Sequence, residues 1–259
     1  MPPMSERPTL LAQNILDGSD RDLFTPIETI IVHVLDIVTS DILSVFDHGG
    51  PLGISPGYSA DGKLISLAIA DDRICRIIEF STPKKANQRA NGKSSTNINP
   101  VALKRLQDHV LCRTAGDIFA FDMGPLAMSL YCDLRGLRVT NAVDIQSAFS
   151  AVDRKALTAI KTAFGTTGTI KITEENVTNV FSNPIYDFED KNRVTDLAQR
   201  AWVSQYLVRS GNGAEMFEKV PRIDTKKLDP TVSHLVSEII MSCSTSYTLV
   251  SGHDRQGCH

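Results

Sequence analysis

Two aspartates, Asp122 and Asp144, stand where an α/β sheet would present them at its edge. The apolar run 118–121 delivers Asp122, and Pro125 opens a helix with Leu126, Leu130 and Leu134 at fourfold spacing. Gly136 sits at a left-handed helix stop. Leu137, Val139 and Val143 then alternate as in a strand and lead into Asp144. Sites lie at such strand ends, although aspartates at helix starts also serve as caps. His48 follows Asp47, a pairing that suggests acid/base work, but neighbours on a strand point to opposite faces. Lys84, Lys85, Arg89 and Lys93 stand in a stretch with no acid and could contact phosphate; a solvated loop explains them equally. Trp202 and Tyr206 offer stacking surfaces for a base or a place in the core. His253, Cys258 and His259 are potential chelators in a polar tail.

The elements that must position these residues read as a mixed set. Leu10, Leu11, Ile15 and Leu16 suggest a short docking helix in an N-terminal extension, 1–24. Thr25-Pro-Ile-Glu28 has the form of a capping box, predicting a helix to Val38, while the β-branched run 30–34 keeps a strand open. The segment 41–47 reads as a strand ending on Asp47, and the glycine- and proline-rich 48–57 as a loop. Residues 63–70 and 73–80, apolar runs split by Asp71-Asp72, predict a β-hairpin. Residues 81–100 read as a mobile basic loop. Beyond it the spacing predicts a helix over 101–110, a short strand at 111–112, and helices over 153–164, 174–181, 192–208 and 229–243. On 192–208 one face carries Val194, Leu197, Ala198, Ala201, Gln205 and Val208. The predicted division is a main domain, 25–215, followed by a C-terminal helix and flexible tail, 216–259.

A net charge of −3 over 259 residues provides no global basic field, so nucleic-acid contact requires a local patch. Five scattered cysteines without a CxxC pair suit a reducing compartment, cytoplasmic or nuclear. No secretory signal and no membrane span is read.

The order of these segments resembles the RNase D-like (DEDD) 3′–5′ exonuclease family. Asp47-His-Gly-Gly-Pro-Leu-Gly before the hairpin resembles its first motif, in which a strand ends in Asp-x-Glu-Gly ahead of two further strands. Phe121-Asp122-Met-Gly-Pro-Leu126 resembles the second motif, and Val143-Asp144-Ile-Gln the strand-end aspartate. Asn183-Pro184 with Leu197-Ala-Gln-Arg-Ala-Trp202 resembles the third, in which a tyrosine or histidine precedes a final aspartate on a late helix. The similarity spans 26–208 and implies an α/β fold, an RNase H-like mixed sheet flanked by helices. It also implies a chemistry in which four carboxylates hold two metal ions, Mg²⁺ or Mn²⁺, that activate water for phosphodiester cleavage.

Carried over residue by residue, the resemblance leaves gaps. Asp47 and Asp122 match aspartates, the glutamate falls on Gly49, the final aspartate on Arg200, and the tyrosine or histidine on Asp196 or Leu197. A guanidinium about 5 Å from a divalent ion repels it by about 6–7 kcal/mol gross at an effective dielectric near 20. The expected function is therefore a catalytically inactive exonuclease-like adaptor that binds RNA or a protein partner, with no metal expected and Asp47, Asp122 and Asp144 vestigial. Arg200 is expected to pair with Asp122 or Asp47. The alternatives are an active metal-dependent exonuclease using Asp47, Asp122 and Asp196, and a pure scaffold or homodimerisation module.

Overall fold

Strand β4 (Leu64–Ala70) is the apolar hub of the molecule: Leu64, Leu67, Ala68, Ile69 and Ala70 are all buried, as a strand covered on both faces must be. It runs antiparallel to β3 (Leu52–Tyr58) on one side and to β5 (Ile74–Glu79) on the other. Asp71 makes the turn between β4 and β5, its Oδ1 accepting the N–H groups of Arg73 (2.7 Å) and Ile74 (2.8 Å). The sheet is completed by β1 (Thr9–Leu11), β2 (Ile27–His33), β6 (Ile118–Ala120) and β7 (Ala142–Asp144), in the order β1-β2-β5-β4-β3-β6-β7. The pairs β2/β5, β3/β6 and β6/β7 are parallel, so the sheet is mixed. The computed structural model describes residues 9–11, 14–17, 26–80, 99–149, 155–165, 172–209 and 213–227.

Helices cover both faces. On one lie α1 (Asp36–Thr39), α2 (Pro100–Leu106), which widens into a π turn over Gln107–Leu111, and α3 (Met123–Asp133). On the other lie α4 (Ala156–Gly165), α5 (Glu174–Ser182), α6 (Lys191–Arg209) and α7 (Gly213–Glu218). Alternation along the strands divides the core. Ile54, Leu67, Ile69 and Ile78 join the first layer, whereas Ala68, Ala70, Cys75 and Ile77 join the second. Each fully buried Leu or Ile stabilises the fold by about 1.5–3 kcal/mol.

The second face carries small residues because α6 lies directly on it. A β-carbon at Gly53 would overlap the Ala201 carbonyl oxygen and lie 2.7 Å from the Gln205 nitrogen. Glycine is therefore required there by helix backbone packed on strand backbone. The helix is buried from Leu197 through Gln205 rather than along one stripe. It has the sheet below it and α4, α5 and α7 around it, and Trp202 and Tyr206 stack with Phe164 in the core. Tyr206 thus has ring contacts with both Phe164 and Trp202, and Trp202 is buried.

Several local expectations are corrected. Residues 27–33 form strand β2, so β-branching outweighs the capping box. Thr9–Leu11 is an edge strand antiparallel to β2, and Ile15 and Leu16 are fully buried. The segment 41–47 contains no strand; Ser44–Phe46 is a 3-10 turn that plugs Phe46 into the core. The true first strand of the hairpin system is β3, inside the expected loop. Its Pro56 is tolerated because β6 pairs only with Leu52 and Gly53, leaving the ladder open at Pro56. Residues 111–112 belong to the π turn and its end, not to a strand. The hairpin and the helices at Glu174–Ser182 and Lys191–Arg209 agree with the sequence reading, and the helix read at 153–164 is described as Ala156–Gly165. The helix expected at 229–243 and the basic loop at 81–98 lie outside the described residues. Phe217 and Val220 pack in the core and Ile223 bridges Ala142, so chain beyond 215 contributes to the same sheet layer.

Candidate functional site

A cleft opens where β3 outruns β6. It is lined by the second half of β3, by Phe121, Asp122 and Pro125, by Phe181 and Pro184, and by Arg200 and Ser204 of α6, with the rings of Phe121 and Phe181 in edge-to-face contact at 4.7 Å. The enclosed volume is about 290 Å³. The segment after α5 is stitched to the β3 edge: Tyr58 N–H donates to the Pro184 carbonyl (2.9 Å) and Tyr186 N–H to the Tyr58 carbonyl (2.8 Å). These bonds supply the partners that β6, ending at Ala120, does not.

Arg200 occupies the centre, with 7 % of its surface exposed. Its Nε donates to Ser55 Oγ (3.1 Å), and its Nη1 donates to the Val180 (2.8 Å) and Asn183 (3.2 Å) carbonyls at the end of α5. Cations suit the carbonyl end of a helix. Burial pushes its pKa down to about 10, offset in part by Asp196 one turn earlier, and the guanidinium remains charged at neutral pH. Asp196 is half-buried, and desolvation raises its carboxyl pKa against the pull of Arg200.

Asp122 lies on the exposed rim in a left-handed backbone conformation, φ 52°. That geometry is costly for a residue with a β-carbon and is held from below. Gln146 Oε1 accepts the Asp122 N–H (2.9 Å), and Asp144 Oδ1 accepts the Met123 N–H (3.2 Å). Asp144 is buried and binds a helix N-terminus and Ser147 Oγ (2.6 Å), so it supports Asp122 from behind rather than lining the cleft. Tyr58, also in the cleft, has its hydroxyl 3.3 Å from Ser129 Oγ; burial raises its pKa.

The structure thus brings Asp122 and Arg200 together and places the other expected residues elsewhere. Asp47 ends the 3-10 turn, half its side chain exposed, against His109 Nδ1 (3.0 Å). Gly49 is beside Ala115, away from the cleft. Among the described residues no carboxylate lies within ion-pair distance of Arg200, so the expected pairing with Asp122 or Asp47 is replaced by neutral oxygens. Lys84, Lys85, Arg89 and Lys93 lie outside the described residues. Sequence reasoning missed Ser55 and Gly57. They occupy the strand that immediately precedes the hairpin, which the resemblance itself marks as the motif-bearing strand. A β-carbon on Gly57 would overlap Ser66 Oγ and lie 2.7 Å from the Tyr186 β-carbon. The space for a longer side chain there is already filled.

A second, more polar pocket of about 380 Å³ lies at the C-terminal end of α6, lined by His48, Gly50, Pro51, Asp71, Asp72, Arg73 and Arg209. His48 Nε2 is 3.0 Å from Asp71 Oδ2, and its Nδ1 accepts the Gly50 N–H (3.1 Å). Both ring nitrogens are engaged, so the partner of His48 is Asp71, 23 positions away, and not Asp47. Among the described residues no group of three or more His, Cys, Asp or Glu is arranged to hold a metal ion, and no helix is long and apolar enough to cross a membrane.

With the geometry established, the crystal structure of the Aedes aegypti Nibbler EXO domain superimposes with a TM-score of 0.53 at 12 % identity, covering 86 % of this chain and 97 % of that one. The fold is the RNase H-like exonuclease fold. At this identity the likeness concerns architecture alone. No family model matches the chain, and no curated protein matches it by sequence. The helix-flanked mixed sheet expected from the motif order is the one observed.

Proposed function

We propose that this chain is a non-catalytic exonuclease-fold domain that acts by binding, as an adaptor for RNA or for a protein partner. The observation that carries the reading is the buried guanidinium of Arg200 at the centre of the cleft. With Ser55 and Gly57 on the motif-bearing strand and Arg200 on the late helix, Asp122 is the one carboxylate among the described residues that lines the cleft. Two divalent ions need several carboxylate oxygens. One rim aspartate opposite a buried cation does not fit that requirement, and no hydrolytic step is derived through a metal here. Asp196 as a further ligand is disfavoured because burial penalises its charged form and it is not among the residues lining the cleft.

The RNA arm of the reading rests on Lys84, Lys85, Arg89 and Lys93, and the protein arm on exposed apolar groups beside the cleft, Ile185 (40 % exposed) and Phe188 (48 %). The test is incubation of end-labelled single-stranded RNA with the full chain in Mg²⁺ or Mn²⁺, alongside a binding measurement over a salt series. The expected result is no metal-dependent shortening. Binding to RNA that weakens with salt, and weakens again when the four basic residues are neutralised, selects the RNA arm. Trimming that Asp122→Ala abolishes would overturn the proposal.

A further inference from the structure

Arg200 carries five N–H donors and a full charge, yet every acceptor around it is neutral. Nε and Nη1 are satisfied by Ser55, Val180 and Asn183. Nη2 has only the Pro56 carbonyl at 3.5 Å, at the limit of a hydrogen bond. A guanidinium this buried is expected to have a carboxylate or phosphate on it. Among the described residues none is within ion-pair distance, and the cleft is the open space it borders. The remaining lining is largely apolar: Ile54, Phe121, Phe181, Pro125 and Pro184, with the Tyr58 ring.

We infer that the cleft is a binding site for a small organic anion. A single carboxylate or phosphate head meets Arg200, and a flat apolar body packs against the pair Phe121 and Phe181, whose rings meet edge to face at 4.7 Å. A volume of about 290 Å³ sits at the lower end of ligand pockets and admits a ring-sized body rather than a polymer. Asp122 at the exposed mouth disfavours a second negative group and favours a hydrogen-bond donor at the outer end of the ligand. Salt weakens that rim repulsion far more than the buried attraction. This inference rests on the metal-free reading of the cleft, because an anion coordinated by divalent ions would not need the guanidinium.

The experiment measures binding of phenylacetate, phenyl phosphate and the neutral phenylacetamide to the full chain by calorimetry, first with a chelator and then with Mn²⁺. In chelator, at least one anion is expected to bind about tenfold or more tightly than the amide. Which anion ranks first separates carboxylate from phosphate as the natural head group. Asp122→Asn is expected to strengthen anion binding a few-fold, and Arg200→Gln to abolish the preference for charge. Should Arg200→Gln fail to fold, the anion-to-amide ratio of the wild type and its rise in Asp122→Asn still decide the matter. Equal binding of all three probes, no binding of any, or a preference surviving in folded Arg200→Gln would overturn the site. Anion binding that appears only with Mn²⁺ would instead remove the metal-free reading of the cleft. A purely structural Arg200 would alter stability without altering the ratio between anion and amide.

Discussion

The middle and the C-terminal end of α6 lie against opposite solutions to the same problem, a charged group under protein cover. At the C-terminal end Asp71, with 1 % of its surface exposed, has both carboxylate oxygens engaged: two backbone N–H groups on Oδ1 and His48 on Oδ2. Arg209 and Asp72 form a 2.6 Å pair at the surface close by. At the middle of the helix Arg200 is almost as deeply covered and donates its hydrogen bonds only to neutral oxygens. The histidine–aspartate contact resembles a catalytic pair, but both ring nitrogens of His48 and both carboxylate oxygens of Asp71 already hold a partner. The arginine resembles a structural tether and still has donor capacity facing a cavity. Local saturation of hydrogen bonds, more than residue type, separates a structural polar group from one able to take a ligand.

The largest effect is expected at the strand–helix contact that holds α6 on the sheet. Gly53→Ala should destabilise the chain by about 3 kcal/mol or more, because helix backbone must move to admit a β-carbon; urea denaturation measures it. Arg200→Met should cost about 3–5 kcal/mol in the same assay, through Ser55 and the two α5 carbonyls left unpartnered. At the C-terminal end Asp71→Ala should cost about 2–3 kcal/mol by freeing two buried N–H groups. Asp72→Ala should change stability by under about 1 kcal/mol, since its partner Arg209 is half exposed. If Asp71→Ala and Asp72→Ala behaved alike, the contrast drawn between saturated and surface pairs would fail.

The smallest effect concerns pH. Burial raises the pKa of Asp133, against the lowering effect of the Leu64 N–H it accepts, and burial raises Asp196 as well. A carboxyl whose folded pKa exceeds its unfolded value contributes stability that is present below the unfolded pKa, 3.8. That stability is lost as pH rises through the folded pKa. Asp133→Asn, which keeps an acceptor for Leu64, should therefore show a shallower fall in Tm across the mildly acidic range than the wild type. An unchanged slope would show that Asp133 titrates normally.

Much of the fold was legible. Periodicity located the hairpin, and the apolar run before Asp122 and the helix after it are where the sequence places them. The late helix was legible in extent but not in burial, because its polar members Gln199, Arg200, Ser204 and Gln205 are covered by elements distant in sequence. The positions of the expected site residues were legible only in part. Asp122 and Arg200 share the cleft, but Asp47 was an anchor chosen for its residue type in a segment that turns out not to be a strand. Gly53, Pro56 and Gly57 disguised β3 as a loop. Their smallness answers to α6 and Tyr186, a tertiary demand invisible to local propensity.

The packing of Ser66 and Tyr186 around Gly57 has a consequence for substitution there. Any lineage that gained a glutamate at position 57 while Tyr186 and its loop stayed in place would first pass through a poorly folded intermediate, before the new carboxylate had a companion. A smaller side chain at 186 alone would not admit one at 57, because the Ser66 hydroxyl and the 186 β-carbon both stand in the way. Strand β4 and the loop laid along the β3 edge thus act together as a steric latch on that position.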